Sequence, residues 1–193
     1  MGGLLALAVR WQLAIDKYIK AQGYKIGTLV AGYGRAFGMD VRVWGREGSL
    51  SRARADGYAL AAGREELFER SDVLSLHLKL SAETRGIVTA ADLARMRPDA
   101  LLVNTSRAEL IVPGALEAAL RAGRPGFAAV DVYEEEPVLG AAHPLLALNA
   151  LEKAAVCTPH LGYVEKDSYE SYFGQAFDQV AAFAEGRPVN AVS

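Results

Sequence analysis

Three charged or titratable side chains, Arg107, Glu136 and His160, each follow a short apolar run that is typical of a buried β-strand. Histidine titrates near neutral pH and can transfer protons, and the planar guanidinium of arginine binds carboxylates through paired hydrogen bonds. Open α/β sheets bind their ligands at the carboxyl ends of the strands, so these positions favour chemistry. Glu136 also lies in the acidic run 134–136, and such runs are usually solvated. The residues alone leave a joint site and three separate structural roles open.

The elements that must position these side chains alternate regularly along the chain. Five apolar runs predict strands: DVRVW (40–44), DVLSLHL (72–78), ALLVN (100–104), GFAAVD (126–131) and AAVCT (154–158). Their starts lie 26 to 32 residues apart, which leaves room for a crossover helix between parallel strands. The pattern predicts an α/β fold with a Rossmann-like, doubly wound parallel sheet.

Helix-boundary signals support this alternation. A capping-box pattern that starts at Thr89 predicts a helix near 89–97. Pro113 is tolerated in a first helical turn and Gly123 suits a carboxyl-terminal cap, so a second helix is expected near 113–122.

A second capping-box pattern, from Asp167 to Glu170, predicts the start of the last helix. Its large apolar side chains recur at steps of three and four along one face: Tyr169, Tyr172, Phe173, Phe177, Val180 and Phe183. An aromatic stripe at this spacing is typical of packing and not of cofactor stacking. We therefore expect these side chains to lie in a core or an interface.

Composition and charge narrow the function classes. The 193 residues are 51% hydrophobic and 23% charged, which suffices for a packed globular domain. The formal net charge is −2, from 21 Lys+Arg and 23 Asp+Glu, and no basic run is present, so no nucleic-acid partner is expected. The single cysteine, Cys157, forms no internal disulfide and offers no metal-ligand spacing, so no metal site is expected.

The amino-terminal residues carry no targeting pattern. The apolar stretch 2–9 is too short to span a bilayer, and it lacks both a preceding positive charge and a cleavage site. Ala6 stands where myristoylation needs Ser or Thr. Together with the single cysteine, these features predict a cytoplasmic protein with no membrane partner.

The glycines do not form a regular dinucleotide-binding fingerprint, G-x-G-x-x-G. The segment 32–38 has three residues, not two, before its last glycine, and it follows a helical pattern. Gly38 is therefore predicted to end a helix over 27–37. Gly23 and Gly27 are better candidates for the fingerprint, although Gly23 is displaced by one residue.

A strand is expected before this glycine loop, but the stretch 4–20 has an amphipathic helical pattern. The few residues that follow span at most ~14 Å, which is too short for a strand and a tight turn. We therefore expect the first strand and part of the glycine loop to be missing from the sequence as written. The alternative is a fold that departs from the regular Rossmann arrangement.

Four longer motifs carry a resemblance to a known family: SDVLSLHLKLSAETRGIV (71–88), LLVNTSRAELI (101–111), AAVDVYEEEPV (128–138) and CTPHLGY (157–163). With these motifs the chain resembles the cofactor-binding half of the D-isomer-specific 2-hydroxyacid dehydrogenases. That family includes D-3-phosphoglycerate dehydrogenase and glyoxylate/hydroxypyruvate reductase. The resemblance implies a nucleotide-binding domain over 1–193 with a carboxyl-terminal helix, and a substrate domain that these residues do not represent.

The resemblance also assigns catalytic roles. It makes His160 the general acid/base, Glu136 its carboxylate partner and Arg107 the residue that binds the substrate. The implied reaction transfers a hydride between NAD(P)H and C2 of a small 2-keto or D-2-hydroxy acid, while a group that titrates near neutrality exchanges a proton with the oxygen. The alternatives are a non-catalytic NAD(P)-binding module, as in the related corepressors, and a truncated fragment.

Cofactor contacts are implied at three places. The pyrophosphate is expected at a helix amino terminus that is formed by Lys25, Ile26 and Gly27. His77 either contacts adenine or packs at a strand end. The residues expected around the nicotinamide half are Thr105, Arg107, Asp131, His160 and Gly162.

The choice between NAD and NADP depends on the end of the second expected strand. NAD enzymes usually carry Asp or Glu there to bind the ribose 2′-OH, whereas here Trp44 is followed by Gly45 and Arg46. A small residue followed by arginine suits a 2′-phosphate, so both cofactors remain candidates. The family is commonly dimeric, and the resemblance therefore implies a homodimer.

Overall fold

The computed structural model describes residues 12–17, 24–137, 143–146, 155–162, 164 and 166–190. The chain divides into two compact units, Met1–His160 and Leu161–Ser193. The elements of the first unit are, in chain order, β1 (Gln12–Lys17), α1 (Tyr24–Ala36), β2 (Asp40–Gly45), α2 (Glu47–Ala55), β3 (Ala59–Leu60), α3 (Arg64–Arg70), β4 (Val73–His77), α4 (Ala90–Arg95), β5 (Leu101–Asn104), a 3-10 turn (Ala108–Leu110), α5 (Ala115–Arg121), β6 (Phe127–Val130) and β7 (Ala155–Cys157). The second unit contains the helix α6 (Lys166–Ala184).

The strands of the first unit form one sheet in the order β3-β2-β1-β4-β5-β6-β7, and all of its pairings are parallel. The order reverses at β1, where the chain moves from one half of the sheet to the other. This arrangement confirms the Rossmann-like, doubly wound fold, and all five predicted strands are present within one residue of their expected bounds. The reversal matters for function because ligands of such sheets bind outside the carboxyl ends of the strands at this point.

The expectation of a missing first strand is wrong. Residues Gln12–Lys17 form β1 and lie at the centre of the sheet, where they pair with β2 on one side and β4 on the other. A segment of six residues is too short for its apolar pattern to distinguish a strand from a helix. Two parallel neighbours give the segment its main-chain hydrogen bonds as a strand. Residues 18–23, which include Gly23, lie outside the described part of the chain, so the glycine loop itself is not described.

Apolar side chains pack on both faces of the sheet. On one face, the buried Leu74 and Leu102 belong to a large cluster with side chains of α3, α4 and α5. On the other face, Leu101 and Val103 pack with Ala31 of α1. Successive residues of a strand point to opposite faces, so both faces need apolar side chains. This explains why the strand sequences are continuous apolar runs.

Local signals placed most helix boundaries to within two or three residues. The capping box is confirmed, since Thr89 Oγ1 accepts from Asp92 N–H at 3.3 Å and Asp92 Oδ2 accepts from Thr89 N–H at 2.7 Å. Gly38 ends α1 as predicted: its φ is 77°, and the N–H groups of Gly38 and Met39 donate to the last turn of the helix.

Three boundary predictions need correction. Helix α1 begins at Tyr24, so Gly27 lies inside its first turn. Helix α5 begins at Ala115 after Gly114, which leaves Pro113 in the preceding turn. Helix α6 begins at Lys166, so Asp167 lies within the helix and is not its cap.

The aromatic stripe of α6 is not part of a core in the described chain. No residue of α6 is buried, and Phe173, Phe177 and Phe183 are all more than half exposed. The interpretation as core is therefore wrong, and the interpretation as interface stays a prediction. Among the described residues, none of the helices is both long and apolar enough to cross a bilayer.

Candidate active site at the carboxyl edge of the sheet

The loops after β5, β6 and β7 bring the three candidate catalytic side chains to one edge of the sheet. Asn104 of β5 is level with Val130 of β6, and Val130 is level with Cys157 of β7. Because the three strands are parallel neighbours in register, their following loops start side by side. Arg107 lies in the first loop, Glu136 in the second and His160 in the third.

His160 and Glu136 form a direct pair. Glu136 Oε2 lies 2.6 Å from His160 Nδ1, and both side chains are about one-third exposed. The second carboxylate oxygen, Oε1, accepts the main-chain N–H of Tyr133 at 2.9 Å. The carboxylate is therefore held at both oxygens, and it orients the imidazole ring through Nδ1.

The charge on Glu136 is favoured by its surroundings. Partial burial by itself would raise the pKa of this carboxyl group. The hydrogen bonds from His160 and from Tyr133 N–H, with the positive charges of His160 and Arg107, outweigh burial and bring the pKa below its ordinary value. Arg107 thus interacts electrostatically with the pair although it comes from a different loop.

The turn that carries His160 has an unusual backbone. His160 has a φ of 54°, a region that residues other than glycine rarely adopt, and its N–H donates to Thr158 O at 3.0 Å. Thr158 is anchored on β6, since its N–H donates to Val130 O and its hydroxyl donates to Asp131 Oδ1. Such a conformation persists only where the surroundings fix it, and it is frequent at functional sites.

The loop that carries Arg107 is organised by the buried side chain of Asn104. Asn104 Nδ2 donates to Arg107 O at 2.9 Å, and Oδ1 accepts from Ser106 N–H at 3.1 Å. The main-chain oxygen of Asn104 also accepts from Asp131 N–H. Asn104 therefore links the loops after β5 and β6, while the Arg107 side chain remains exposed to solvent.

The remaining predicted cofactor residues spread along the same edge. Thr105 is exposed directly after β5, and Asp131 is buried directly after β6. His77 ends β4 and is only 9% exposed, with its Nε2 3.0 Å from Ser75 Oγ. Burial lowers the pKa of His77 to about 4, so its imidazole is neutral at physiological pH.

Arg46 lies at the other half of the sheet. It directly follows β2 and precedes α2, and its guanidinium forms an ion pair with Glu83 from the loop after β4. Both side chains are largely exposed. Several strands of the sheet separate Arg46 from the pair of Glu136 and His160.

Two sets of predicted contacts are only partly described. Lys25, Ile26 and Gly27 lie in the first turn of α1, and nothing is described of the Lys25 side chain. Gly162 belongs to the second compact unit, so its position relative to the other residues is not described. The proposed contacts of all four residues stay predictions.

Sequence reasoning missed four residues of this edge: Asn104, Tyr133, Thr158 and Glu83. Asn104 had a detectable signal, because an asparagine at the end of a buried strand, followed by Ser106 and Arg107, is typical of a side-chain-stabilised turn. Tyr133, Thr158 and Glu83 act through partners that lie 25 to 37 residues away in sequence. No local pattern identifies such partners.

Comparisons with known proteins agree with this geometry. The family model for the D-isomer specific 2-hydroxyacid dehydrogenase NAD binding domain matches residues 23–162. The chain belongs to this family. A glyoxylate reductase of Aeropyrum pernix is 39% identical over 173 residues, which are 88% of this chain and 49% of the relative. A D-3-phosphoglycerate dehydrogenase of Bacillus subtilis is 33% identical over 168 residues, 86% of this chain and 30% of that protein.

The family assignment extends to solved structures. A phosphoglycerate oxidoreductase from Vibrio cholerae superposes with a TM-score of 0.84 at 47% identity, over 96% of this chain and 57% of that one. The chain spans half or less of the curated relatives named above. The family membership confirms the resemblance found in the sequence, together with a nicotinamide cofactor as the ligand class.

Proposed function

We propose that the protein is an NAD(P)-dependent dehydrogenase that interconverts a small 2-keto acid and the corresponding D-2-hydroxy acid. The observation that carries the proposal is the hydrogen bond between His160 Nδ1 and Glu136 Oε2, at 2.6 Å. A module that only binds a dinucleotide has no need for an oriented acid/base pair beside the cofactor groove. The pair therefore supports an enzyme and not a corepressor-like binding module.

The residues at the sheet edge fit a nicotinamide dinucleotide. Helix α1 has 13 residues and follows the central strand β1, so its amino-terminal N–H groups suit a pyrophosphate. Arg46 offers a cation at the end of β2, where the adenosine ribose of such cofactors binds. When bound, the cofactor supplies or accepts the hydride.

His160 supplies the proton for ketone reduction in this proposal. A carbonyl oxygen that gains a hydride at its carbon develops negative charge, and a positioned imidazolium neutralises it. Glu136 fixes the ring at Nδ1, so the other ring nitrogen, Nε2, exchanges the proton with the substrate in this proposal. In the oxidation direction the same nitrogen, Nε2, removes the hydroxyl proton.

Arg107 binds the substrate carboxylate in this proposal. Its side chain is exposed at the edge between the loops after β5 and β6, and its charge acts on Glu136. A planar guanidinium can bind a carboxylate or polarise a neighbouring carbonyl through paired hydrogen bonds. The substrate would thus lie between Arg107 and His160, with its 2-keto oxygen towards the imidazole.

We further propose that the protein prefers NADPH. Gly45 ends β2 and Arg46 follows it, in place of the acidic residue that NAD enzymes usually carry there, so this position offers a cation to a 2′-phosphate. The ion pair between Arg46 and Glu83 keeps the guanidinium at this edge.

We also propose a homodimer located in the cytoplasm. An exposed apolar stripe on α1 and the residue directly after it supports self-association: Ile26, Leu29, Tyr33 and Phe37 are each 57% to 73% exposed. The single cysteine, Cys157, is compatible with a reducing compartment. Sedimentation velocity at micromolar concentration tests the dimer, and a monomer would contradict it.

The deciding experiment replaces His160 by alanine. The protein is expressed from its natural coding sequence, and its intact mass is recorded so that the length of the assayed chain is known. We expect His160→Ala to lower kcat for glyoxylate or hydroxypyruvate reduction by about 10²–10⁴-fold, because the proton donor is lost. Binding of NADPH, measured as a rise in Tm, should be retained. Full activity in this variant would remove His160 from the mechanism.

A further inference from the structure

Tyr133 lies at the centre of the candidate site, but neither the motifs nor the proposed chemistry gives it a role. It follows β6 by three residues and is only 7% exposed. Its ring packs edge-on against His143 at a centroid distance of 4.9 Å. Two of its polar groups, the main-chain N–H and the phenol hydroxyl, donate to the segments that carry the catalytic pair.

Four hydrogen bonds form a closed ring through Tyr133. Its main-chain N–H donates to Glu136 Oε1 at 2.9 Å, and Glu136 Oε2 lies 2.6 Å from His160 Nδ1. The main-chain N–H of His160 donates to Thr158 O at 3.0 Å. The hydroxyl of Tyr133 donates to the same Thr158 oxygen at 2.9 Å, which closes the ring.

We propose that Tyr133 is a positioning residue, and that its hydroxyl holds the turn of His160 against the loop of Glu136. This inference rests on the proposed function, because it concerns the same acid/base pair. Tyr133 and Thr158 lie 25 residues apart in sequence, in the loops after β6 and β7. The hydrogen bond from the Tyr133 hydroxyl links these two loops, and the hydroxyl contacts no reacting atom.

The direction of the hydroxyl bond is fixed by its partner. A carbonyl oxygen only accepts, so the phenol must be the donor, and the two lone pairs of Thr158 O serve Tyr133 and His160 together. Burial, with the neighbouring Cys157, Asp131 and Glu136, raises the pKa of the Tyr133 phenol well above its ordinary value. The hydroxyl therefore keeps its proton at physiological pH.

A ring of this kind matters because His160 adopts a left-handed backbone, with a φ of 54°. Without the hydroxyl bond, Thr158 O loses one of its two donors, and the turn can relax towards an ordinary conformation. The Nδ1 atom of His160 would then lie farther from Glu136. A displacement of about 1 Å at a catalytic group can reduce the rate by about 10²-fold.

The test compares Tyr133→Phe with Tyr58→Phe in the full chain. Both changes remove one hydroxyl from a partly or fully buried tyrosine, but Tyr58 lies on the opposite half of the sheet, under Arg35. We expect Tyr133→Phe to lower kcat roughly 10-fold while the Kd of NADPH and the substrate KM stay within about twofold. Tyr58→Phe should change none of these quantities.

A spectroscopic measurement separates this inference from the proposed function. The ¹⁵N chemical shifts of the His160 ring report whether Nδ1 is hydrogen-bonded to a carboxylate, and they can be recorded without any substrate. We expect Tyr133→Phe to change the His160 ring shifts and Tyr58→Phe to leave them unaltered. Unaltered His160 shifts in Tyr133→Phe would overturn the positioning role, whatever the activity.

The two proposals fail in different ways. If the wild-type protein reduces no 2-keto acid but Tyr133→Phe alters the His160 shifts, the proposed function is wrong and the positioning of the pair by Tyr133 stands. If the wild type is active and Tyr133→Phe matches it in kcat, the positioning role is wrong and the proposed function stands.

Discussion

The two ends of the sheet's carboxyl edge are built differently. At the β5–β7 end, side chains form hydrogen bonds with main-chain atoms of the loops. Glu136 accepts from Tyr133 N–H, the Tyr133 hydroxyl donates to Thr158 O, and Asn104 donates to Arg107 O. At the β2–β4 end, Arg46 and Glu83 meet as an exposed ion pair between two loops. The hydrogen bonds of the first arrangement constrain the positions of individual atoms. The exposed ion pair of the second arrangement mainly keeps a positive charge in this region.

This difference matches what each end has to do in the proposed reaction. Proton transfer needs His160 at a defined position relative to a carbonyl oxygen, and small displacements are costly. Recognition of a 2′-phosphate needs a cation within reach, and an exposed ion pair contributes only about 0–1 kcal/mol. We therefore expect changes at the β5–β7 end to cost activity and changes of exposed charges at the β2–β4 end to shift cofactor preference slightly.

The largest expected effect is on stability and comes from His77, a buried residue at the β2–β4 end. It is therefore an exception to the expectation that this end contributes only small effects. Burial lowers the pKa of His77 to about 4, whereas a histidine in the unfolded chain titrates near 6.5. The unfolded chain therefore takes up a proton first as the pH falls. The free energy of unfolding should decrease by roughly 3 kcal/mol between pH 6.5 and pH 4.

Urea denaturation at several pH values tests this expectation. The variant His77→Gln should lose most of the decrease, since glutamine does not titrate. If the wild type and His77→Gln respond identically to pH, then the titration of His77 makes no contribution and other groups cause the acid sensitivity.

The next effect concerns the charge on Glu136. Glu136→Gln keeps the shape of the side chain. In the wild type, one carboxylate oxygen accepts from Tyr133 N–H while the other binds His160. An amide accepts with its single oxygen only, so glutamine cannot replace both contacts as an acceptor. We expect kcat to fall by about 10²-fold with little change in cofactor affinity.

Glu135→Gln is the matched control, because Glu135 is the exposed neighbour in the same acidic run. It should retain the wild-type kcat. Equal losses in both variants would mean that the net charge of the run, and not the bond to His160, supports activity.

The smallest effect sharpens the comparison at Arg46 and Glu83. Glu83→Gln removes the competing carboxylate, so the Kd of NADPH should decrease by about two- to fivefold while the Kd of NADH stays constant. Arg46→Asp should shift the preference between NADPH and NADH towards NADH.

Glu69→Gln, which breaks an exposed ion pair with Arg95, serves as the control. An unchanged ratio of the two Kd values in Arg46→Asp would remove Arg46 from cofactor selection.

Local patterns were sufficient for much of the fold. The strands at 40–45, 73–77, 101–104, 127–130 and 155–157 could be predicted because each is an apolar run between helix-boundary signals. The capping box at Thr89 and the helix end at Gly38 depend on residues only a few positions apart. In each case the interactions that stabilise the element are encoded within a single short segment.

Beyond the helix boundaries, two predictions failed where the stabilising partner is distant in sequence or undefined by it. Strand β1 consists of six residues whose pattern also fits a helix, and its pairing with β2 and β4 decides its structure. Likewise, the aromatic stripe of α6 has the period of a packed face, but nothing in that period states what covers it. The spacing of apolar residues shows which face of a helix is apolar. What packs against that face is decided by the tertiary structure.

The sequence by itself determined which side chains are available for chemistry and where they stand: Arg107, Glu136 and His160 each follow a strand, and the motifs around them identify the family. Only the tertiary structure decided how they are connected. The bond from Tyr133 to Thr158, the link from Asn104 to Asp131 and the pair of Arg46 with Glu83 all join separate loops. Such bonds form because parallel strands in register bring distant loops together, and no local stretch of sequence records that proximity.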